Sequence, residues 1–320
     1  MALYVGIDGG GTSTRAFVFD PASMQGSVAL GPASRQSSVG WETARTALVE
    51  TLNRALAQMK QPANEVIGLS ACLSGIDLPE QSVRMAQELQ ADFPLARIEV
   101  TNDSMAPLTA GTNGRSGAVL IGGTGTVAVG ETLDGQVARA GGYGYLIGDE
   151  GSGFDIGRRG LMAAIQSCEG RGPNTCLWEA AQKVYDVTAA EQLIPVVYDA
   201  DNPVAVMASF AASVLQLADE DEVAAAILEV ASEAHMQLLQ SVLQRLPEMD
   251  QRVVLSGSLF TKSEILLEKL RGRLPDVEIT PIRLNAVTGA LMRAMRLVDR
   301  TLLTRFDEGT WQGIEAAVMT

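Results

Sequence analysis

Asp8-Gly9-Gly10-Gly11-Thr12-Ser13 lies between two runs of strand formers, Leu3-Tyr4-Val5-Gly6-Ile7 and Arg15-Ala16-Phe17-Val18-Phe19-Asp20. Three glycines after a strand invite a dinucleotide-binding reading, but that motif leads into a helix, and here the loop leads into a second strand. The Gly-Lys-Ser/Thr ending of a P-loop is also missing. What remains is a β-hairpin with a glycine-rich tip. Successive backbone N–H groups at such a tip form a nest for phosphate oxygens, and the hydroxyls of Thr12 and Ser13 add donors. Asp8, at the strand end, is placed to hold Mg²⁺ through water, as this small cation prefers. An ordinary tight hairpin turn has the same local pattern.

A second copy of the device separates these two readings. Gly122-Gly123-Thr124-Gly125-Thr126 stands between the strand-like runs Gly117–Ile121 and Thr126–Gly130. Around each tip the same theme unfolds. The first half continues with apolar positions at helical spacing (Ala44, Leu48, Leu52, Leu56, Met59), a strand at Val66–Leu73, a helix opened by Pro79 and a strand at Arg97–Thr101. The second continues with helices near Phe154–Cys168, Val204–Leu217 and Asp221–Leu246, a buried strand at Arg252–Leu255, a helix from about Thr261 and a last one near Ala286–Val298. The layout is that of a duplicated α/β domain with a cleft between copies. It divides into an N-terminal lobe, 1–114, and a C-terminal lobe, 115–320. Two matching tips can grip one chain of phosphates from both sides.

Bulk properties agree. A chain of 320 residues exceeds what one core usually serves, and 47% hydrophobic with 19% charged residues describes a packed globular protein. With 24 basic against 38 acidic side chains, the formal charge of −14 repels nucleic acid and anionic membranes. A phosphate site must then be built locally, from backbone N–H groups and a metal ion. Cys72, Cys168 and Cys176 form no C-x-x-C pair, which fits free thiols in a reducing cytosol. The start of the chain lacks a basic, apolar leader and no apolar run reaches bilayer length, so a soluble cytoplasmic protein is expected.

Two acidic motifs carry the chemistry. Asp103, in Asn102-Asp103-Ser104, ends a strand, where open α/β sheets bind their ligands. A carboxylate there can accept the proton of a hydroxyl and aim it at a γ-phosphorus; the same triplet also suits a helix cap. Gly148-Asp149-Glu150-Gly151-Ser152-Gly153 brackets two carboxylates with glycines just before a helix. It can hydrogen-bond several sugar hydroxyls, or serve as a solvated turn with an N-cap. His235, the only histidine, sits in a helix with no partner near it in sequence and reads as structural.

In order, Asp8–Thr12, Asn102-Asp103, Gly122–Thr126, Gly141–Gly153 and Leu255-Ser256-Gly257-Ser258 resemble the motifs of N-acetylglucosamine kinases. Their wider group includes the activator ATPases of acyl-CoA reductases and dehydratases, within the superfamily of actin, sugar kinases and heat-shock chaperones. The resemblance extends from residue 4 to about residue 295. It implies an α/β fold of two actin-like, ribonuclease H-like lobes, with Mg·ATP and a sugar in the cleft. By motif match, Asp8, Gly10, Gly11, Thr12 and Ser13 would serve the first phosphate loop and Gly123, Thr124, Gly125 and Thr126 the second. Ser256, Gly257 and Ser258 would lie against adenosine, and Asp103 would be the catalytic base. Ser74, Gly75, Asn102, Thr124, Tyr143, Gly144, Asp149 and Glu150 would contact the sugar, and the helix near 286–298 would cross between lobes. Ser258 replaces a glycine of the family pattern, Tyr143 stands where tryptophan is common, and Ser37-Ser38-Val39-Gly40-Trp41 replaces an asparagine-bearing loop.

The resemblance implies transfer to the 6-hydroxyl of N-acetylglucosamine, with glucosamine as the alternative acceptor, and a homodimer. An activator ATPase would need cysteines for an iron–sulfur cluster, for which these three are poorly spaced. An actin-like scaffold would not need the Gly-Asp-Glu-Gly-Ser-Gly loop.

Overall fold

The computed structural model describes residues 2–261 and 264–319, and its contacts divide them into two compact units, 2–115 with 282–319, and 116–281. The first unit holds strands β1 (Leu3–Gly9), β2 (Thr14–Asp20), β3 (Gln25–Gly31), β4 (Val66–Leu73) and β5 (Arg97–Asn102). The second holds β6 (Gly117–Gly122), β7 (Thr126–Glu131), β8 (Val137–Gly141), β9 (Arg252–Ser256) and β10 (Glu278–Pro281). The sheet orders are β3-β2-β1-β4-β5 and β8-β7-β6-β9-β10. In each, the first three strands form an antiparallel meander and the last two add parallel to its first strand. The duplication read from the two tips therefore extends to every strand.

In the first unit both sheet faces are covered, which is why β1 is apolar almost throughout. Leu3, Val5 and Ile7 pack with Leu48 and Leu52 of the helix Trp41–Gln58. Tyr4, Phe17 and Phe19 point the other way, onto Leu291 and Met295 of the helix Ala286–Val298 and onto Trp311. That helix comes in backbone against backbone. A Cβ at Gly6 would lie 2.1 Å from the Leu291 nitrogen, one at Gly68 2.6 Å from the Ala294 carbonyl, and one at Gly289 1.9 Å from the Ala106 carbonyl. Glycine is required at these three positions for space, not for an unusual φ. The terminal segment, expected within the lobe 115–320, packs with the first unit; the helix Glu308–Val318 places Trp311 against Phe19 and Phe306.

One polar pair is sealed under the same helix. Arg293, 4% exposed, bonds Glu99 of β5 through two contacts of 2.7 and 2.9 Å. Ser70 donates a further hydrogen bond to the carboxylate at 3.1 Å. Burial pushes the Glu99 carboxyl up, but the charge and hydrogen bonds of Arg293 outweigh it and hold the group below its ordinary value.

In the second unit the helix Glu222–Arg245 contributes Ile227, Leu228 and Leu239 to one core with β6, β7 and β9. Between β8 and that helix lies a run of helices: Gly153–Cys168, Leu177–Tyr185, Leu193–Tyr198, Pro203–Ser209 and Ala211–Leu217. The single helix expected over Val204–Leu217 is two, broken at Phe210. The expected helix from about Thr261 begins earlier, at Ser258–Thr261, and a separate one covers Ile265–Arg273; 262–263 lie outside the described residues. No described helix is long and apolar enough to cross a membrane.

Candidate active site

The first tip spans Gly10 to Ser13 and is closed by the Gly10 N–H donating to the Ser13 carbonyl at 2.9 Å. Gly11, Thr12 and Ser13 are exposed, so their donors are open to a ligand. Space is free as well, since the nearest atom to a Cβ at Gly11 would be 3.8 Å away. Below the tip, Asp8 is pushed up to about 6, first by burial and then by the negative charge of Asp103, with Arg15 partly offsetting both. Two carboxylates near enough to repel each other thus sit at the ends of β1 and β5.

The loop carrying Ser74 and Gly75 joins them. Ser74 N–H donates to the Gly9 carbonyl at 2.8 Å, and the Gln36 side-chain amide donates to the carbonyl of Gly75, whose φ is +84°. Asn102 ties this loop to β5, its amide donating to Ile76 O at 3.3 Å and to the Asp77 carboxylate at 3.1 Å. Its carbonyl oxygen accepts from the Ser104 N–H and hydroxyl at 3.1 and 2.8 Å. The helix Met105–Thr112 opens at Ser104, whose side chain makes no cap bond, and the Ala106 N–H donates to the Asp103 main-chain carbonyl at 3.3 Å. The first unit thus brings together Asp8, Gly10–Ser13, Ser74, Gly75, Asn102 and Asp103.

The second tip is bound to two other segments. Asp149 adopts φ +62°, uncommon for a residue with a side chain, and is 8% exposed. Its carboxylate accepts from the Thr126 N–H at 3.0 Å, and a Cβ at Gly125 would strike it at 2.8 Å. Burial raises the Asp149 pKa, helped by Glu150, while backbone donors from Thr126 and Gly144 resist the shift. Gly153 N–H donates to the Gly123 carbonyl at 2.8 Å, so the loop 148–153 and the tip form one piece. On the other side, Gly257 has φ +95° and a Cβ there would lie 2.3 Å from the Gly122 carbonyl. Ser258 keeps a negative φ and starts a short helix, which explains how serine is accommodated in place of the family's glycine.

Between tip and turn opens a cavity of about 600 Å³ lined by Gly123, Thr124, Gly153, Ser258 and Leu259, with Ser209, Gln216 and Asp219 from the inserted helices. Ala205, Ala208, Ala211, Ala212, Leu215 and Ile265 supply the rest of the wall, and the size of the cavity suits a nucleoside. The inserted-helix residues carried no motif; only their place in the fold reveals them. Glu150 does not join Asp149: it is exposed and lines a separate depression with Asp155 and Arg159. Tyr143 is 67% exposed.

Among the described residues no group of three or more His, Cys, Asp or Glu is placed to hold a metal ion alone. The Asp8–Asp103 pair nevertheless fits a hard divalent cation: it offers oxygen only, and a cation held through water would relieve the repulsion that lifts Asp8.

Two sheets of one order, each bearing a glycine–threonine hairpin, define an actin-like nucleotide-binding fold of the sugar-kinase type. The chain belongs to the BadF/BadG/BcrA/BcrD ATPase family, whose model matches residues 5–294. It is 28% identical over 310 residues to the N-acetylmuramic acid/N-acetylglucosamine kinase of Clostridium acetobutylicum, covering 93% of this chain and 100% of that one. It is 29% identical over 315 residues to the N-acetyl-D-glucosamine kinase of Dictyostelium discoideum, covering 92% and 98%. A provisionally assigned N-acetylglucosamine kinase from Chromobacterium violaceum superimposes with a TM-score of 0.70 at 26% identity, over 95% of this chain and 99% of that one.

Proposed function

We propose that the protein is an ATP-dependent kinase that phosphorylates the 6-hydroxyl of an amino sugar, N-acetylglucosamine by preference, with glucosamine as the near alternative. The observation that carries this reading is the cavity of about 600 Å³ in which the second tip, the Ser256–Ser258 turn and the loop holding Asp149 meet. A nucleoside fills that cavity with its phosphates on the Gly123–Thr126 backbone, and Asp149 beside them takes sugar hydroxyls. Gly10–Ser13 contributes a second set of N–H and hydroxyl donors to the phosphates. Asp103 accepts the proton of the attacking hydroxyl; its oxygen bonds the γ-phosphorus as the bond to the β-phosphate oxygen breaks, leaving ADP. Asp8 would hold Mg²⁺ through water, the ion supplying charge neutralisation on the phosphates.

Ser74, Gly75 and Asn102 lie on the Asp103 side and serve the sugar, while Tyr143 and Gly144 flank Asp149. The net charge of −14 argues against nucleic acid as a partner, and a cytoplasmic homodimer is the expectation carried over from the motif resemblance. The test is ADP release from Mg·ATP with a panel of hexoses and amino sugars. Stimulation by N-acetylglucosamine or glucosamine is expected; release indifferent to every sugar would overturn the reading and favour an activator ATPase.

A further inference from the structure

His235 lies on the helix Glu222–Arg245, more than eighty residues from the loop it touches, and is fully buried. Its Nε2 is 2.8 Å from the Gly151 carbonyl. A carbonyl only accepts, so Nε2 carries the proton and donates. The approach is close: a Cβ at Gly151, where φ is +73°, would fall 2.9 Å from Nε2 and 2.8 Å from the Ala231 carbonyl of the same helix. The ring also packs on Phe260, centroid to centroid 5.3 Å. Phe260 in turn closes on Gly122, where a Cβ would be 2.6 Å from its ring. One imidazole therefore touches the loop that carries Asp149 and the aromatic residue that backs both the second tip and the Ser256–Ser258 turn.

We infer that His235 is a positioning residue: its hydrogen bond to Gly151 pins the 148–153 loop so that Asp149 stays seated on the second tip, and its ring transmits that position to the nucleotide turn through Phe260. The inference rests on the proposed kinase reading for its kinetic consequence, but not for its structural one. Asp149 occupies a left-handed conformation that its own side chain disfavours, so something outside the loop must hold it. Among the described residues the other anchors include Thr126 N–H and Gly144 N–H to Asp149, Gly153 N–H to Gly123 and Gly151 N–H to Asp155, made by the loop, the tip, the segment just before the loop or the loop's own helix. His235 adds an anchor on a separate, rigid element.

The test compares H235Q, whose amide can still donate, with H235M, which has similar length and no donor. In H235M the sugar KM should rise about tenfold or more, the effect of leaving a buried carbonyl unpaired, with a much smaller change in ATP KM. H235Q should recover most of the loss in KM, with a melting temperature above that of H235M because its amide keeps the Gly151 carbonyl paired. Equal kinetics for the pair, or a fall in stability with both KM values unchanged, would overturn the inference. Should H235M not fold, H235F provides the donor-free comparison. Amide hydrogen exchange separates this inference from the activity. Ser152 and Gly153 should exchange faster in H235M than in H235Q without any substrate, and identical exchange would defeat the pinning even if the sugar were misassigned. Wild-type ADP release that ignores sugars would defeat the kinase reading alone, leaving exchange to decide the pin.

Discussion

At the residue scale, three side chains stand out. Asp8 and Asp103 share one site at strand ends, and the first keeps its proton to about pH 6 when no cation is near. Asp103→Asn retains the shape but cannot take a proton, so phosphorylation should drop by about three decades while nucleotide binding stays. Rapid-quench turnover alongside ATP titration checks this, and substantial residual turnover would mean the base lies elsewhere. His235 is the third, held neutral by burial with its pKa pushed down to about 4 from 6.5. Between those values the unfolded chain binds a proton that the folded chain refuses. The stability is intact above about pH 6.5 and erodes as pH falls towards 4, by up to about 3 kcal/mol. Denaturant unfolding at about pH 7 and about pH 4.5 should show a smaller acid loss in His235→Gln than in wild type.

The element scale is governed by the helix Ala286–Val298. Its path across β1 and β4 needs glycine at 6 and 68, and its crossing of the helix Met105–Thr112 needs glycine at 289, because side chains there would enter main-chain atoms. Gly289→Ala should cost about 3 kcal/mol or more, an overpacking effect with no soft neighbour to yield, read as a lowered midpoint in urea. The Arg293–Glu99 pair locks the same helix to β5 a few residues before Asp103. Glu99→Ala removes the carboxylate partner of a buried guanidinium, and a loss of about 3–5 kcal/mol is expected. Since Glu99 is held below its ordinary pKa, the pair's contribution is present above about pH 4.5 and is lost as acid protonates the carboxylate. The sequence left unread the strands β3, β8 and β10, which are partly solvated edge strands without a long apolar run, and also the helices Leu177–Tyr185, Leu193–Tyr198 and Glu308–Val318. The central strands β1, β4, β6 and β9 were legible because they are buried on both faces.

For the whole molecule, each unit keeps a separate share of the work. The cavity proposed for the nucleoside is lined entirely from within 116–281, whereas Asp8 and Asp103 belong to the other unit. ATP at about a hundred times its Kd should stabilise wild type by about 2.7 kcal/mol, and Asp103→Asn by the same amount. Thermal shift with and without nucleotide measures it, and a lost shift in the variant would contradict that separation.

The repeated hairpin tips, the acidic turn at Gly148–Gly153, the strand-end Asp103 and the central strands were all readable from the chain itself, because turn chemistry and burial on both faces leave local marks. Only the folded arrangement showed that Asp149 sits on the second tip while its neighbour Glu150 faces elsewhere, that Ser209, Gln216 and Asp219 line the cavity beside that tip, and that His235 reaches Gly151. Those are contacts between segments far apart in sequence, set by how helices pack on sheets, and no spacing along the chain encodes them.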